Sequence, residues 1–281
     1  MRLALSLHGY FNNKVDPLSG DNGFKYLQDI LLSKYDVDVF LHSWDKQYEA
    51  HLYDLYKPKS AIIEDQLSFK EVMKVEGISQ EYFDEGFDRQ RSPYAVCKIE
   101  SILSDLYSRK KAHDLIYNYE ENNNFQYDCI ISSRYDAGQR DKLGKWKYYI
   151  SQITFNPNLD MNFIYSAMWD QLNAGPACMW FYSNSNNMKL LSMAYDAALY
   201  DYFKPGSEYE KKVTTGWPDS LHYDGGFYDL AQFSNEKLKP YRDSRYPISG
   251  MRYPKWQCVN IHLLYKWFLI DYGLYNINKE I

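Results

Sequence analysis

The amino-acid sequence predicts an α/β protein with a mostly parallel central sheet flanked by helices. Three observations predict it. An apolar strand, "LALSLHGY" (3–10), runs through a polar loop into a helical pattern, "GFKYLQDILLSKY" (23–35). A second strand, "DVDVFLHSW" (36–44), is followed by the helix "QYEAHLYDLYK" (47–57) and the short strand "SAIIEDQ" (60–66). The longest helical pattern of the chain (92–121) then leads into another strand, "YDCIISSRYD" (127–136). Strands alternating with helices in this way are joined as parallel neighbours.

Each element has a local reason. Residues 3–7 are an almost unbroken apolar run, as in a strand covered on both faces. Apolar residues recur at helical spacing over 23–35, with Asp21 as the expected N-cap. The segment 36–44 alternates and then turns apolar. Ser92 is the expected cap of the long helix, Pro93 suits its first turn, and the charged run near Lys111 is where it should break. The second half is less regular. A loop and strand (173–184) and a helix (186–203) precede Gly-, Pro- and charge-rich loops from about 204, and a terminal helix spans about 257–270. No internal repeat is visible, and the chain reads as a single domain.

Composition narrows the function. Of 281 residues, 45% are hydrophobic and 25% charged, as in ordinary globular proteins. A net charge of -5 argues against a general nucleic-acid binder. The 29 tyrosines fit a compositional bias, and they also fit stacking of sugars or bases on aromatic faces. Cys97, Cys129, Cys178 and Cys258 form no CxxC pair and are expected as buried thiols of a reducing compartment. "MRLALSLHGY" is too short in its apolar core for a signal peptide. The apolar C-terminal stretch is interrupted by Lys266 and Asp271. The expectation is a cytoplasmic protein whose only membrane contact is peripheral.

The motifs of P-loop enzymes, classical dinucleotide dehydrogenases, zinc proteases and α/β-hydrolases are absent from the sequence. What remains is a set of strand ends. "SLHG" (6–9), "LHSWD" (41–45) and "SRYD" (133–136) fall on one edge of a parallel sheet, where ligands bind. Ser6, His8, His42, Asp45, Arg134 and Asp136 are therefore expected to converge, while Trp44 reads as core packing. Arg134 and Asp136 are alternate residues that share a face. They suit either a mutual ion pair or a site for phosphate and metal. Mg²⁺ or Mn²⁺ on a diphosphate needs only one or two protein carboxylates, and an arginine fork suits the phosphate oxygens.

In their order, "ALSLHGYF", "DVDVFLHSWD", "YDCIISSRYD" and "WDQLNAGPACMWFY" resemble bacterial and viral glycosyltransferases of lipopolysaccharide-type sugar biosynthesis, which have the GT-A fold. The matches span residues 3–183. The resemblance implies a nucleoside diphosphate sugar donor bound by residues 1–150, and a glycan or lipid-linked acceptor on the side of residues 151–281. Ser6, His8, Gly9, His42, Asp45 and Arg134 would face the nucleotide. Asp136 would face Mn²⁺ or Mg²⁺, with His222 a further ligand or an ordinary loop histidine. Asp170 would be the acceptor-side base or, structurally, a helix cap. Two departures stand out: the first loop reads "LHGYFNNK" rather than Ser-Gly followed by arginine, and the acid motif is "RYD" rather than Asp-x-Asp. Two other classes stay open, a non-catalytic carbohydrate-binding protein and a glycoside hydrolase with paired carboxylates.

Overall fold

The computed structural model describes residues 1–12, 16–85, 97–138, 151–167, 176–215, 255–274 and 278–280. Strands β1 (Leu3–His8), β2 (Val37–Ser43), β3 (Ser60–Ile63) and β4 (Cys129–Arg134) come from the first half of the chain. They are joined in one sheet by β5 (Ile164–Ser166), β6 (Trp180–Ser183) and β7 (Asn278–Glu280). The sheet has seven strands in the order β3-β2-β1-β4-β6-β5-β7. Its first four strands are mutually parallel, and β6 runs antiparallel to both β4 and β5. The α/β class is observed, with a mixed rather than wholly parallel sheet.

The helices cover both faces. Helix α1 (Ser19–Leu27, extended by a π turn to Leu32) and α2 (Glu49–Tyr56) follow β1 and β2. Their Leu27, Leu31, Leu52 and Tyr56 pack with Leu3, Leu5, Leu7, Val39, Leu41 and Ile131 on one face. After β3 come α3 (Phe69–Val75), α4 (Gln80–Phe83) and the 25-residue α5 (Ile99–Asn123), whose Ile102, Leu103 and Leu106 pack with Ala4, Phe40 and Ile130 on the other. Helices α6 (Ser185–Ser192), α7 (Ala194–Ala197), α8 (Glu208–Thr215) and α9 (Ile261–Asp271) add to that second core. The winding thus changes face between β3 and β4. Chain connections leave β1 toward β2 on one side, while β4 pairs on the other, so the reversal falls between β1 and β4.

Several boundaries differ from expectation. Helix α1 starts before the expected cap, at Ser19, and Gly20 in its first turn packs against Phe11 where a Cβ would not fit. Asp21 lies inside the first turn and accepts from His51 Nε2 at 2.8 Å. Helix α5 does not break at Lys111. Lys110 pairs with Asp196 at 2.9 Å and Lys111 lies over the Tyr107 ring, so this charged run is one side of a continuous helix. Its end is set by Asn124 in the left-handed region at φ 52°. Ser92 and Pro93 lie outside the described residues. The helix expected over 186–203 is divided at Met193, next to a Ser192 hydroxyl that donates back to the Lys189 carbonyl. No disulfide joins the four cysteines, but only Cys129 and Cys258 are buried; Cys97 is exposed and Cys178 is half-buried. No described helix is long and apolar enough to cross a membrane.

Gly23 shows how closely α1 approaches the end of β4. A Cβ built there would overlap the backbone carbonyl of Tyr135. Gly23→Ala should therefore destabilise the fold by ~1–3 kcal/mol, since backbone on both sides must shift. Urea unfolding of the variant measures this, and an unchanged midpoint would mean that α1 does not sit against this turn.

Candidate functional site

A cleft of about 510 Å³ opens over the carboxyl ends of β1 and β4, within the usual range for ligand pockets. The loop after β1 supplies Gly9, Tyr10 and Asn12, and the start of α1 supplies Ser19. Arg134 and Asp136 come from the end of β4, and Ser101, Ser104 and Asp105 come from α5. Trp44, Gln66, Met179 and His262 complete much of the wall. At the amino end of α1 the Ser19 and Gly20 N–H groups are already committed, to the Asp16 carbonyl at 3.1 Å and to Asn12 Oδ1 at 2.9 Å.

The floor is pinned at Gly9. Its φ of +98° turns the chain sharply out of β1, a conformation that favours glycine. The Gly9 N–H donates to Ser108 Oγ at 2.7 Å, and its carbonyl accepts from Trp44 N at 3.2 Å. Behind Ser108 stands His42, with Nδ1 at 2.7 Å from Ser108 Oγ and Nε2 at 3.0 Å from Glu64 Oε1. Burial lowers the His42 pKa, partly offset by Glu64. A neutral ring donating from Nε2 to Glu64 accepts the Ser108 hydroxyl at Nδ1, which satisfies every member of the chain. Trp44 is buried, as expected, stacking on Tyr107 with ring centres 5.6 Å apart, and it also borders the cleft.

Arg134 and Asp136 form a two-pronged pair, Nε to Oδ1 at 2.9 Å and Nη2 to Oδ2 at 2.6 Å. Tyr135 between them is fully buried on the opposite side, against Phe11 and Tyr56, and its hydroxyl donates to the His42 carbonyl at 3.2 Å. Tyr135 thus anchors the turn that presents its two neighbours to the cleft. Arg134 keeps 39% of its side chain exposed, and among the described residues its Nη1 reaches only the Met179 sulfur, at 3.9 Å. Donors therefore remain for an anion. Burial works against the Arg134 charge, but Asp136 and then Asp105 outweigh it and raise its pKa.

Not every expected residue reaches the cleft. Gly9, Arg134 and Asp136 line it. Ser6 and His8 are fully buried beneath α5, because their alternate positions on β1 point to the helix-covered face. His42 is sealed there as well, holding the strand end. Asp45 faces the loop after β1. It accepts from Asn12 N at 3.1 Å and from the Phe11 N–H, and burial raises its pKa against those bonds. Asp170 and His222 lie outside the described residues.

Asp105 and Arg109 escaped the sequence reading. Arg109 is 1% exposed; its Nη2 donates to the Cys178 carbonyl at 2.6 Å, and its plane lies over Phe181 and Tyr265. The available signal was a helical face of Ser104, Asp105, Ser108, Arg109 and Ala112, too small and polar for an ordinary core stripe.

Among the described residues no three His, Cys, Asp or Glu side chains gather as a ready metal site. Asp105 and Asp136 nevertheless share the cleft, and two carboxylates suffice for a hard cation that arrives with a diphosphate. Comparison of the chain with protein-family models, curated proteins and solved structures gives no match. Fold and cleft together define an α/β protein with a Rossmann-like sheet whose cleft lies at the reversal of strand order.

The buried histidines beside this site set a pH dependence. Burial, and then the Arg109 charge, drive His8 well below the ordinary histidine value and His113 down to about 3. Both are therefore neutral in the folded protein, whereas the unfolded chain takes up protons near pH 6.5. Their stabilisation is complete above that pH and lost as pH falls toward the folded values. Each should remove ~1.4 kcal/mol per pH unit below about pH 6. Urea unfolding at pH 7.5, 6 and 5 checks the slope, and His113→Met should reduce it. A midpoint independent of pH over this window would contradict the burial of both rings.

Proposed function

We propose that the chain is a GT-A-like glycosyltransferase that moves a sugar from a nucleoside diphosphate sugar to a glycan or lipid-linked acceptor. The observation that carries this reading is the Arg134–Asp136 pair at the switch point of the sheet, in a cleft sized for a nucleotide sugar. The order of motifs over residues 3–183 supports it independently. On this reading the diphosphate lies across the ends of β1 and β4. The remaining Arg134 donors meet its oxygens and stabilise the negative charge that builds as it leaves. Tyr10, 41% exposed at the rim, offers an aromatic face to the base. Asp136, with Asp105 nearby, would hold Mn²⁺ or Mg²⁺, which supplies Lewis-acid stabilisation of the leaving diphosphate when bound. Asp170 stays the candidate for deprotonating the acceptor hydroxyl.

Nucleoside diphosphates should raise the melting temperature of the protein, and added Mn²⁺ should enlarge the shift. Stabilisation by free oligosaccharides and none by nucleotides would instead favour a carbohydrate-binding protein or a hydrolase. Asp136→Asn should lower transfer by about a hundredfold, on the order of 2.7 kcal/mol of transition-state stabilisation. Because the variant also breaks a two-pronged pair in which Asp136 is only 14% exposed, its urea unfolding is measured beside the kinetics to separate lost stability from lost chemistry. Near-normal turnover in this variant would remove Asp136 from the site.

A further inference from the structure

A second pocket, of about 490 Å³, opens beside the far end of α9 and falls within the range of small-ligand pockets. His262 in the first turn of α9 lines the cleft, whereas Asp271 at its last residue lines this pocket, so about 14 Å of helix separates the two. Among the described residues four tyrosines line it: Tyr200, Tyr202, Tyr209 and Tyr272. Tyr200 and Tyr202 lie on a π turn (Ala198–Tyr202) that continues α7, and Tyr209 lies in the first turn of α8. Part of the tyrosine bias of the sequence is therefore gathered at one cavity.

The floor of this pocket is fixed. Tyr202 and Tyr209 stack with ring centres 4.8 Å apart, and both are buried. The Tyr209 hydroxyl donates to the Cys258 carbonyl at 2.9 Å, and the Tyr202 hydroxyl donates to Asp271 Oδ2 at 2.7 Å. Lys212 Nζ donates to Asp271 Oδ1 at 3.0 Å. The carboxylate is thus oriented from two sides, and each oxygen keeps a lone pair for a further donor. The loop between the π turn and α8 is pinned as well. Ser207 Oγ donates to the Tyr202 carbonyl at 2.9 Å, and the Gly206 N–H donates to Glu210 Oε2 at 2.7 Å. By contrast the rim is open. Tyr200 is 54% exposed and its ring meets no other aromatic ring among the described residues. Beside it, the exposed Asp201 carboxylate accepts no hydrogen bond from the described residues.

These groups narrow the chemistry of a ligand. The phosphates of a nucleotide would meet Asp201, Glu208 and Asp271 in the lining. An alkylammonium cage needs several ring faces turned to one point. Here Tyr202 and Tyr209 face each other, Tyr272 stacks on Phe268 with ring centres 4.3 Å apart, and Lys204 in the wall repels a cation. A neutral polyol meets none of these obstacles. The C–H face of a pyranose packs on the electron-rich face of an aromatic ring, and its hydroxyls donate to carboxylates. An open ring and an oriented carboxylate occur together in this pocket. We propose that it binds a neutral glycan, with one pyranose stacked on Tyr200 and hydroxyls donated to Asp201 and Asp271. The site is separate from the cleft and holds its glycan whether or not the cleft transfers sugar.

The test is saturation-transfer NMR titration of the full chain with maltotriose, cellotriose, mannotriose and triacetylchitotriose, with choline as the cationic control. At least one trisaccharide should receive saturation, strongest at the C–H protons of one sugar face. Tyr200→Ala should weaken that binding about tenfold, the loss of one aromatic stack, while Tyr200→Phe should stay within about threefold of the wild type. Asp201→Asn should weaken it by about threefold or more. Both side chains are exposed, so these variants put no buried contact at risk. Saturation of no trisaccharide overturns the proposal, as does binding of choline alone. Glycan affinity unchanged in Tyr200→Ala places the glycan elsewhere and overturns it too. Nucleoside diphosphates probe the cleft in separate titrations, so the glycosyltransferase reading can fail while this pocket binds, and the reverse.

Discussion

Everything at the cleft depends on β1 being hydrogen-bonded on both sides, to β2 and to β4. The registers bring Leu7 opposite Leu41 and Ser133, and His8 opposite Arg134, so the strands end together. Crossovers from β1 and β2 run over one face, whereas the connection from β3 to β4 runs over the other. The loops therefore diverge above β1 and β4 and leave a crevice between them. Two close contacts keep it from collapsing or spreading: Gly9 bonded to Ser108 of α5, and Gly23 of α1 against the backbone after β4.

Helix α5 is the less ordinary partner in this arrangement. Its central turns lay Ser108, Arg109 and His113 on the sheet, where an apolar stripe would have been the simpler solution. Opposite them are Ser6, His8 and Ser132, also fully buried. Such a layer is costly unless its members are paired, and several atoms in it have no partner among the described residues. The aromatic faces of Phe181 and Tyr265 under Arg109 offset part of that cost. Apolar residues flank this polar section on the same helix: Ile102, which lines the cleft, Leu103 and Leu106 precede it, and Ile116 follows it.

The fold class was legible because β1, β2 and β4 are apolar runs that alternate with helical segments, the first of which, α1, is clearly periodic. Short elements were not. Helix α3 buries only Phe69 and Met73, and the apolar residues seen buried in α8 are Tyr209 and Val213, beside Glu210, so neither carries enough apolar positions to show a period. Strand β5 has three residues, Ile164–Ser166, and its pairing with the reversed β6 is a tertiary fact. Within the site, Arg134 and Asp136 could be read because they follow an apolar strand at alternate positions. The same two-residue period could not say that Ser6 and His8 face a helix rather than the cleft. Nor could local sequence separate Asp105 and Arg109 from Lys110 and Lys111, since charges every few residues are normal on a helix. Only packing divides the sealed Arg109 from its exposed-side neighbours.

Asp45 explains why the departure in the first loop matters. Successive backbone N–H groups in such a loop form a cradle suited to phosphate. Here the N–H groups of Phe11 and Asn12 are bonded to the Asp45 carboxylate, and that of Gly9 goes to Ser108. A phosphate taking the same donors would have to displace a buried carboxylate and would meet its charge at close range. Asp45 thus fills the cradle and gives the loop its shape at the expense of its anion affinity. On the glycosyltransferase reading, the burden of holding a diphosphate moves across the cleft to the remaining Arg134 donors and a cation on Asp136. Arg134 is kept from swinging away by the same fork that neutralises it, so its anchoring and its remaining donor capacity come from one guanidinium.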